Sequence, residues 1–306
     1  MRVVALALHL LLLLALPILM SGVLQRTKAL WAGRKGPPLL QLWFELRRLL
    51  SKRPVYGDNT SVVFRLGPLV VLASTLVTAL FIPLLGSRAP LGFEFDFVAV
   101  AYLWGLGRFF LILPALDTGS AFEGMGASRE ATYSALAEPV LLLVFGTLGL
   151  ASGQRSLAGI LRPDLGTSAG LVVSAACLAA LLLVLQVESA RIPVDDPSTH
   201  LELTMIHEVM ILDHSGPELA FIQYAAALKL TLGAALIAAL LNPVHTAGAL
   251  AGALQLLFTL CIAVVVGCVE SLTARLALRT LPQYILLGLI AAFIALLGAA
   301  WRSGLA

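Results

Sequence analysis

The sequence predicts an all-α integral membrane protein: eight transmembrane helices, an amphipathic surface helix after the first, and a further helix between the fifth and sixth. Three observations predict it. Hydrophobic residues make up 59% of the 306-residue chain and charged residues 12%, against about 25% charged in a soluble domain. Eight apolar runs approach 20 residues, enough to cross a hydrocarbon core of ~30 Å. The runs lack the dyad alternation of a membrane β-barrel, and backbone groups in lipid must be satisfied within a segment, so each run reads as a helix.

The runs lie at about 3–24, 64–85, 97–116, 134–152, 169–188, 219–241, 249–270 and 282–301. The first is longer than a signal peptide's core, and its positive charges, Arg26 and Lys28, follow it rather than precede it. It is expected to remain as the first span. No linker, low-complexity segment or internal repeat divides the chain, so residues 1–306 read as one polytopic domain.

The loop after the first span is broken at Gly36-Pro37-Pro38. It then runs with helical period, apolar at 39, 40, 42, 43, 46, 49 and 50. That pattern predicts an amphipathic helix on the membrane surface, either a simple anchor or a platform for a soluble partner. Loops after the first, third, fifth and seventh spans hold thirteen of the 20 basic residues and the opposite loops five. The positive-inside rule makes the richer side cytoplasmic and puts both termini outside. The net charge of +3 is topology signal, with no basic patch for nucleic acid.

The most unusual stretch is Glu188 to Glu218, between the fifth and sixth spans. It gathers seven acids (Glu188, Asp195, Asp196, Glu202, Glu208, Asp213, Glu218), three of the five histidines (His200, His207, His214) and Arg191. Asp196-Pro197 is a good helix start and Ser215-Gly216-Pro217 a good stop, predicting a helix of about four turns over Pro197–Asp213. Its Leu201, Leu203, Met205, Ile206, Val209, Met210, Ile211 and Leu212 surround it, so it should be buried against other elements.

Proton handling is the chemistry these residues point to. Lys229 and Arg108 lie inside spans, where a charge costs roughly 2.5–3.5 kcal/mol. Their alternatives are a pathway role or a structural ion pair. Glu138 near the start of the fourth span, Glu188 closing the fifth and Glu270 closing the seventh lie toward one face. A carboxyl held neutral by desolvation and ionised by a nearby cation can carry a proton. The histidines are seven apart, so helical neighbours are separated by about 10.5 Å along the axis, too far to share one metal. They read either as titrating groups beside Glu202, Glu208 or Asp213, or as hydrogen-bonded packing residues. Cys177, Cys261 and Cys268 lie in spans without a CxxC and read as packing residues. No phosphate loop, nucleophile elbow or dinucleotide fingerprint is present.

These residues resemble a known family: the membrane subunit shared by complex I, where it is subunit 1, and the energy-converting nickel–iron (NiFe) hydrogenases, including formate hydrogenlyase. Arg34, Gly36-Pro37 and Leu40-Gln41 match its R-x-GP-x-x-LLQ loop, and Glu45 and Arg48 fall where the family has an acid and a base. Glu188, Arg191, Pro193, Asp195, Glu202-Leu203 and Ser215-Gly216 follow its E-x-x-R-x-P-x-D…EL…SG pattern. Gly107-Arg108-Phe109-Phe110, the stretch from Leu116 to Pro139, Leu228-Lys229, Glu270-Ser271 and Ala274-Arg275 look like formate hydrogenlyase-type sequences. Ser198-Thr199-His200 stands where complex I has an acidic E-A-E associated with quinone coupling, and the stretch from Leu203 to Ser215 is about three residues longer. Both departures point away from quinone reduction.

The resemblance implies a non-catalytic subunit of a hydrogenase-type respiratory complex in a bacterial or archaeal cell membrane. It would join a peripheral redox arm, a hydrogenase-like large subunit and an iron–sulfur small subunit, to antiporter-like membrane subunits. NiFe and iron–sulfur centres would sit in those partners, with no cofactor or metal in this chain. The coupling residues would be Arg108, Glu138, Glu188, Asp195, Glu202, His207, Glu208, Asp213, Lys229 and Glu270. Arg34, Glu45, Arg47, Arg48, Arg129 and Arg191 would dock the arm. The alternatives are a quinone-binding subunit of a complex I-like NADH dehydrogenase and, from another class, a stand-alone ion transporter, which predicts inverted repeats that the sequence lacks.

Overall fold

The computed structural model describes residues 2–86, 88–162, 167–196, 204–244 and 248–304. In chain order the helices are α1 (Arg2–Trp31), α2 (Gln41–Leu50), α3 (Val62–Ala79), α4 (Asp96–Asp117), α5 (Ala121–Ser152), α6 (Leu157–Ile160), α7 (Ser168–Glu188), α8 (His207–Met210), α9 (Gly216–Leu241), α10 (Ala249–Leu272) and α11 (Leu281–Ser303). All except α2, α6 and α8 are long and apolar enough to cross a membrane, giving eight spans.

Local chemistry accounts for several helix starts. Ser61 caps α3 by accepting from the Val63 amide, and Thr167 caps α7 by accepting from Gly170. Pro217 sits in the first turn of α9, where its missing N–H costs nothing. The amphipathic helix α2 falls where the period places it, burying Leu46 and Leu49 against Ala220 of α9 and leaving Trp43, Phe44, Arg47 and Arg48 exposed.

Helix α9 is the axis of the molecule. Every residue from Leu230 to Leu240 is buried, and α9 touches α1, α2, α3, α7 and α10. On one side α1 pairs with α10. On the other, the contacts α9–α3, α3–α4, α4–α5, α5–α7 and α7–α9 close a ring of five helices, with α11 outside it against α5 and α7. Small residues permit the closest approaches. A side chain at Gly67 of α3 would lie 2.2 Å from the Pro114 ring of α4.

Two expectations change. The helix that carries the fourth span starts well before the apolar run at 134–152: α5 is one helix of 32 residues from Ala121, about 48 Å long, well beyond a ~30 Å hydrocarbon core. Hydropathy marks only its membrane part, because the preceding turns are polar and glycine-rich. Glu138 therefore lies mid-helix. Second, the helix expected over Pro197–Asp213 is present between the fifth and sixth spans, but among the described residues it is only α8, His207–Met210, between turns. Residues 197–203 lie outside the described residues. The cap is supplied by Asp195, whose Oδ2 accepts the Ile206 and His207 amides at 3.0 Å each. The burial expected of this stretch holds: Met205, Ile206, Val209, Met210 and Ile211 are all buried.

Candidate functional site: a charged ring inside the helix bundle

The ring of five helices lines a cleft with a cavity volume of about 50 Å³. Its lining alternates apolar walls (Val71, Trp104, Leu111, Ile222) with the charged groups Arg108, Glu130, Glu188 and Lys229. Helix α8 contacts α4 and α5 and brings His207 onto the same cleft.

Arg108 of α4 is the centre of the site. Its Nη2 donates to both Glu188 oxygens of α7 at 2.8 and 2.9 Å. Its Nη1 donates to Glu138 Oε1 of α5 at 2.6 Å. Its Nε lies 3.6 Å from Oε1 of Glu130, which precedes Glu138 on the same helix. Lys229 of α9 completes the group, with Nζ 2.6 Å from the second Glu188 oxygen and 5.8 Å from the Trp104 ring. Two cations thus face three carboxylates. The Arg108 and Glu188 side chains are 5% and 3% exposed, whereas Glu138 is 44% exposed. The group therefore reaches from a closed interior to an accessible edge.

A lone arginine here would cost several kcal/mol, and the cost is offset only because every carboxylate is within reach. One guanidinium nitrogen spans both Glu188 oxygens while the other two face Glu138 and Glu130, so the planar group addresses three carboxylates at once, which a single ammonium does not.

A second group of charges joins α1, α10 and the segment after α7. Glu270, its side chain fully buried, is 2.8 Å from Lys28 Nζ and 3.7 Å from Arg191 Nη1. Asp195, 1% exposed, bonds Arg275 at 2.9 Å through Oδ1 while Oδ2 caps α8. That makes it a clamp between the 204–207 segment and the turn after α10. Asp195 also lines a small cavity with Glu130 and Glu188, next to the central cleft.

The structure brings together Arg108, Glu138, Glu188, Lys229 and His207 from the sequence-predicted residues. Glu270 and Arg191 meet apart from them, Asp195 is at the margin, and Glu208 and the exposed Asp213 do not line the cleft. Glu202 and His200 lie outside the described residues. Of the expected docking residues, Arg34, Arg47 and Arg48 are exposed and Glu45 accepts from Gln41 at 2.9 Å. Arg129 donates to the Met205 carbonyl at 2.7 Å, holding α8 to α5. Glu130 was missed. Its signal, an acid eight residues before Glu138, has meaning only once Ala121–Tyr133 is recognised as helix. Glu123 was missed for the same reason; it is buried and accepts the Asp213 amide at 3.1 Å.

Burial keeps His207 below its ordinary pKa, partly countered by Glu208 and Asp195. Its imidazole is therefore neutral at physiological pH, able to accept at one nitrogen and donate at the other. Among the described residues no group of three or more His, Cys, Asp or Glu is placed to hold a metal ion.

Comparison with known proteins agrees with this architecture. The family described as NADH dehydrogenase matches residues 3–300. The chain belongs to this family. The chain is also similar to hydrogenase-4 component C of Escherichia coli (strain K12), 33% identical over 232 residues, covering 76% of this chain and 72% of the relative. Formate hydrogenlyase subunit 4 of the same organism is 29% identical over 296 residues, covering 93% and 94%. The family fold is also seen in a chain of the membrane-bound sulfane sulfur reductase, an archaeal respiratory membrane complex. It superposes with a TM-score of 0.77 at 17% identity, covering 94% of this chain and 98% of that one.

Proposed function

We propose that this chain is the membrane-anchoring, ion-coupling subunit of a multisubunit hydrogenase-type respiratory complex. The observation that carries the reading is the buried group Arg108–Glu130–Glu138–Glu188–Lys229 around the central cleft. Three carboxylates against two cations leave one negative charge that a single proton neutralises in a low-dielectric interior. Such a group takes up and gives away one proton when the balance of nearby charge changes. The adjoining 188–218 stretch supplies that change, because His207 and the Asp195 clamp connect it to the cleft.

In this reading the polar loops face the cytoplasm, both termini lie outside, and the exposed Arg34, Arg47 and Arg48 meet a peripheral redox arm. That arm, a hydrogenase-like large subunit with an iron–sulfur small subunit, carries the NiFe and iron–sulfur chemistry. Antiporter-like subunits share the membrane. Both curated relatives are components of hydrogenase or hydrogenlyase systems, which favours this reading over a quinone-binding subunit.

The test is Glu188→Gln and Glu138→Gln in the assembled complex. Redox turnover is expected to continue while proton uptake into inverted vesicles falls at least tenfold. Unchanged uptake in both variants, with assembly intact on native gels, overturns the reading.

A further inference from the structure

A second set of titratable groups lies outside the charged ring, where α9 begins. His214 and Glu218 are 4% and 8% exposed. The His214 Nδ1 and Glu218 Oε2 atoms lie 3.5 Å apart, and neither has a hydrogen-bond partner among the described residues. The other Glu218 oxygen accepts from the hydroxyl of half-buried Tyr56 at 2.6 Å. The exposed Arg65 of α3 covers the Tyr56 ring at 4.4 Å. Phe64 of α3 stacks on His214, centroids 4.0 Å apart. The side chains therefore run inward in the order phenol, carboxyl, imidazole. Among the described residues, Tyr56, Arg65, His214 and Glu218 are the charged or titratable groups that meet there.

Two helical stripes lead from this point to the charged ring. On α9, Glu218, Ile222, Ala225 and Lys229 share one face, the first and last about 16 Å apart along the axis. On α3, Phe64, Pro68, Val71 and Thr75 do the same, and α3 and α9 are in contact. Between the ends lies an apolar layer in which Val71, Leu111, Ile211 and Ile222 pack together. Val71, Leu111 and Ile222 also line the cleft. A packed layer of this kind contains no groups to conduct a proton until water enters it.

We infer that Tyr56, Glu218 and His214 form a proton-loading site at the polar-loop end of the α3–α9 groove, separated from the charged ring by an apolar gate at Val71, Ile211 and Ile222. The inference rests on the proton-coupling reading of the ring. A hydronium ion gives its proton to the Glu218 carboxylate and leaves as water. The carboxyl then donates to Nδ1 of neutral His214, which releases the proton at its other ring nitrogen when the gate is wet. The imidazole ends unchanged in charge.

The experiment places the assembled complex in vesicles of phosphatidylethanolamine and phosphatidylglycerol. A potassium diffusion potential set with valinomycin drives protons, and an internal pH dye reports them, so no electron donor is needed. Ile222→Asn is expected to wet the gate and raise proton leak at least tenfold over wild type. Adding Glu218→Gln or His214→Phe to Ile222→Asn is expected to return the leak to the wild-type level. Absence of leak in both Ile222→Asn and Val71→Asn overturns the inference, as does leak that survives loss of both Glu218 and His214. Adding Glu188→Gln separates the two ideas: leak that needs Glu218 but not Glu188 leaves the loading site standing and removes the ring from the path. Native gels check assembly of every variant.

Discussion

Single residues here are tuned by what surrounds them. Arg108 satisfies three carboxylates at once, so its removal should be felt more than its own burial suggests. Arg108→Gln is expected to lower stability by about 3–5 kcal/mol, because among the described residues Glu188 then keeps only Lys229 as a charged partner. Thermal unfolding in detergent measures it, and the double variant Arg108→Gln/Glu188→Gln should recover part of the loss. His214 gives a pH signature. Burial lowers its pKa from 6.5 to about 4. Between those values the unfolded chain binds a proton that the folded chain refuses, so stability is complete above pH 6.5 and falls as pH drops toward 4. The loss amounts to about 3 kcal/mol at most. His214→Phe, which keeps the stack on Phe64, should flatten the dependence of Tm on pH across that window. Legibility at this scale followed cost. Arg108, Glu188 and Lys229 stood out because a charge inside an apolar run needs a reason. Glu130, preceded by polar residues, had no such contrast.

At the scale of elements, side chains far apart in sequence set the boundaries that periodicity cannot. The span positions were legible because lipid imposes a length and an unbroken apolar run. The extent of α8 was not: its cap comes from Asp195, eleven and twelve residues before the amides it holds, whereas local sequence offered Asp196-Pro197. The same clamp makes a prediction. Asp195→Asn keeps the shape but weakens the bond to Arg275, and hydrogen exchange over 204–213 should quicken about tenfold or more, corresponding to roughly 1.5–3 kcal/mol for a hydrogen bond to a charged group. Exchange in α9 should not change. Gly126 of α5 is a stricter case. A Cβ there would lie 2.4 Å from Val209 and 2.9 Å from the Ile206 carbonyl. Gly126→Val should displace α8 from its seat and expose that segment to protease.

For the whole molecule, the division of labour across α9 matters most. The five-helix ring holds the proposed coupling group, while α1 and α10 with Lys28 and Glu270 form a separate charged edge. The surface helix α2 is fixed to α9 by Leu46 and Leu49, and presents Arg47 and Arg48 outward. If these meet the redox arm, Arg47→Glu/Arg48→Glu should release the arm on native gels while the membrane part stays intact. Retention of the arm would assign α2 to the lipid surface instead. Both roles were open from the helical period, since an amphipathic pattern states what is buried and not what covers the remaining face.

The unbroken length of α5 has one more consequence. Its first half carries the neighbours Arg129, which grips Met205, and Glu130, which faces Arg108, and its middle carries Glu138, which also grips Arg108. Helical hydrogen bonds make such a rod stiff, and Pro139, directly after the last of these residues, removes one bond and provides a natural hinge. Force applied at α8 should therefore bend α5 near Pro139. Glu138 sits beside that bend and Glu130 about two and a half turns away, so a push on the outer loop should change the Glu130–Arg108 distance first.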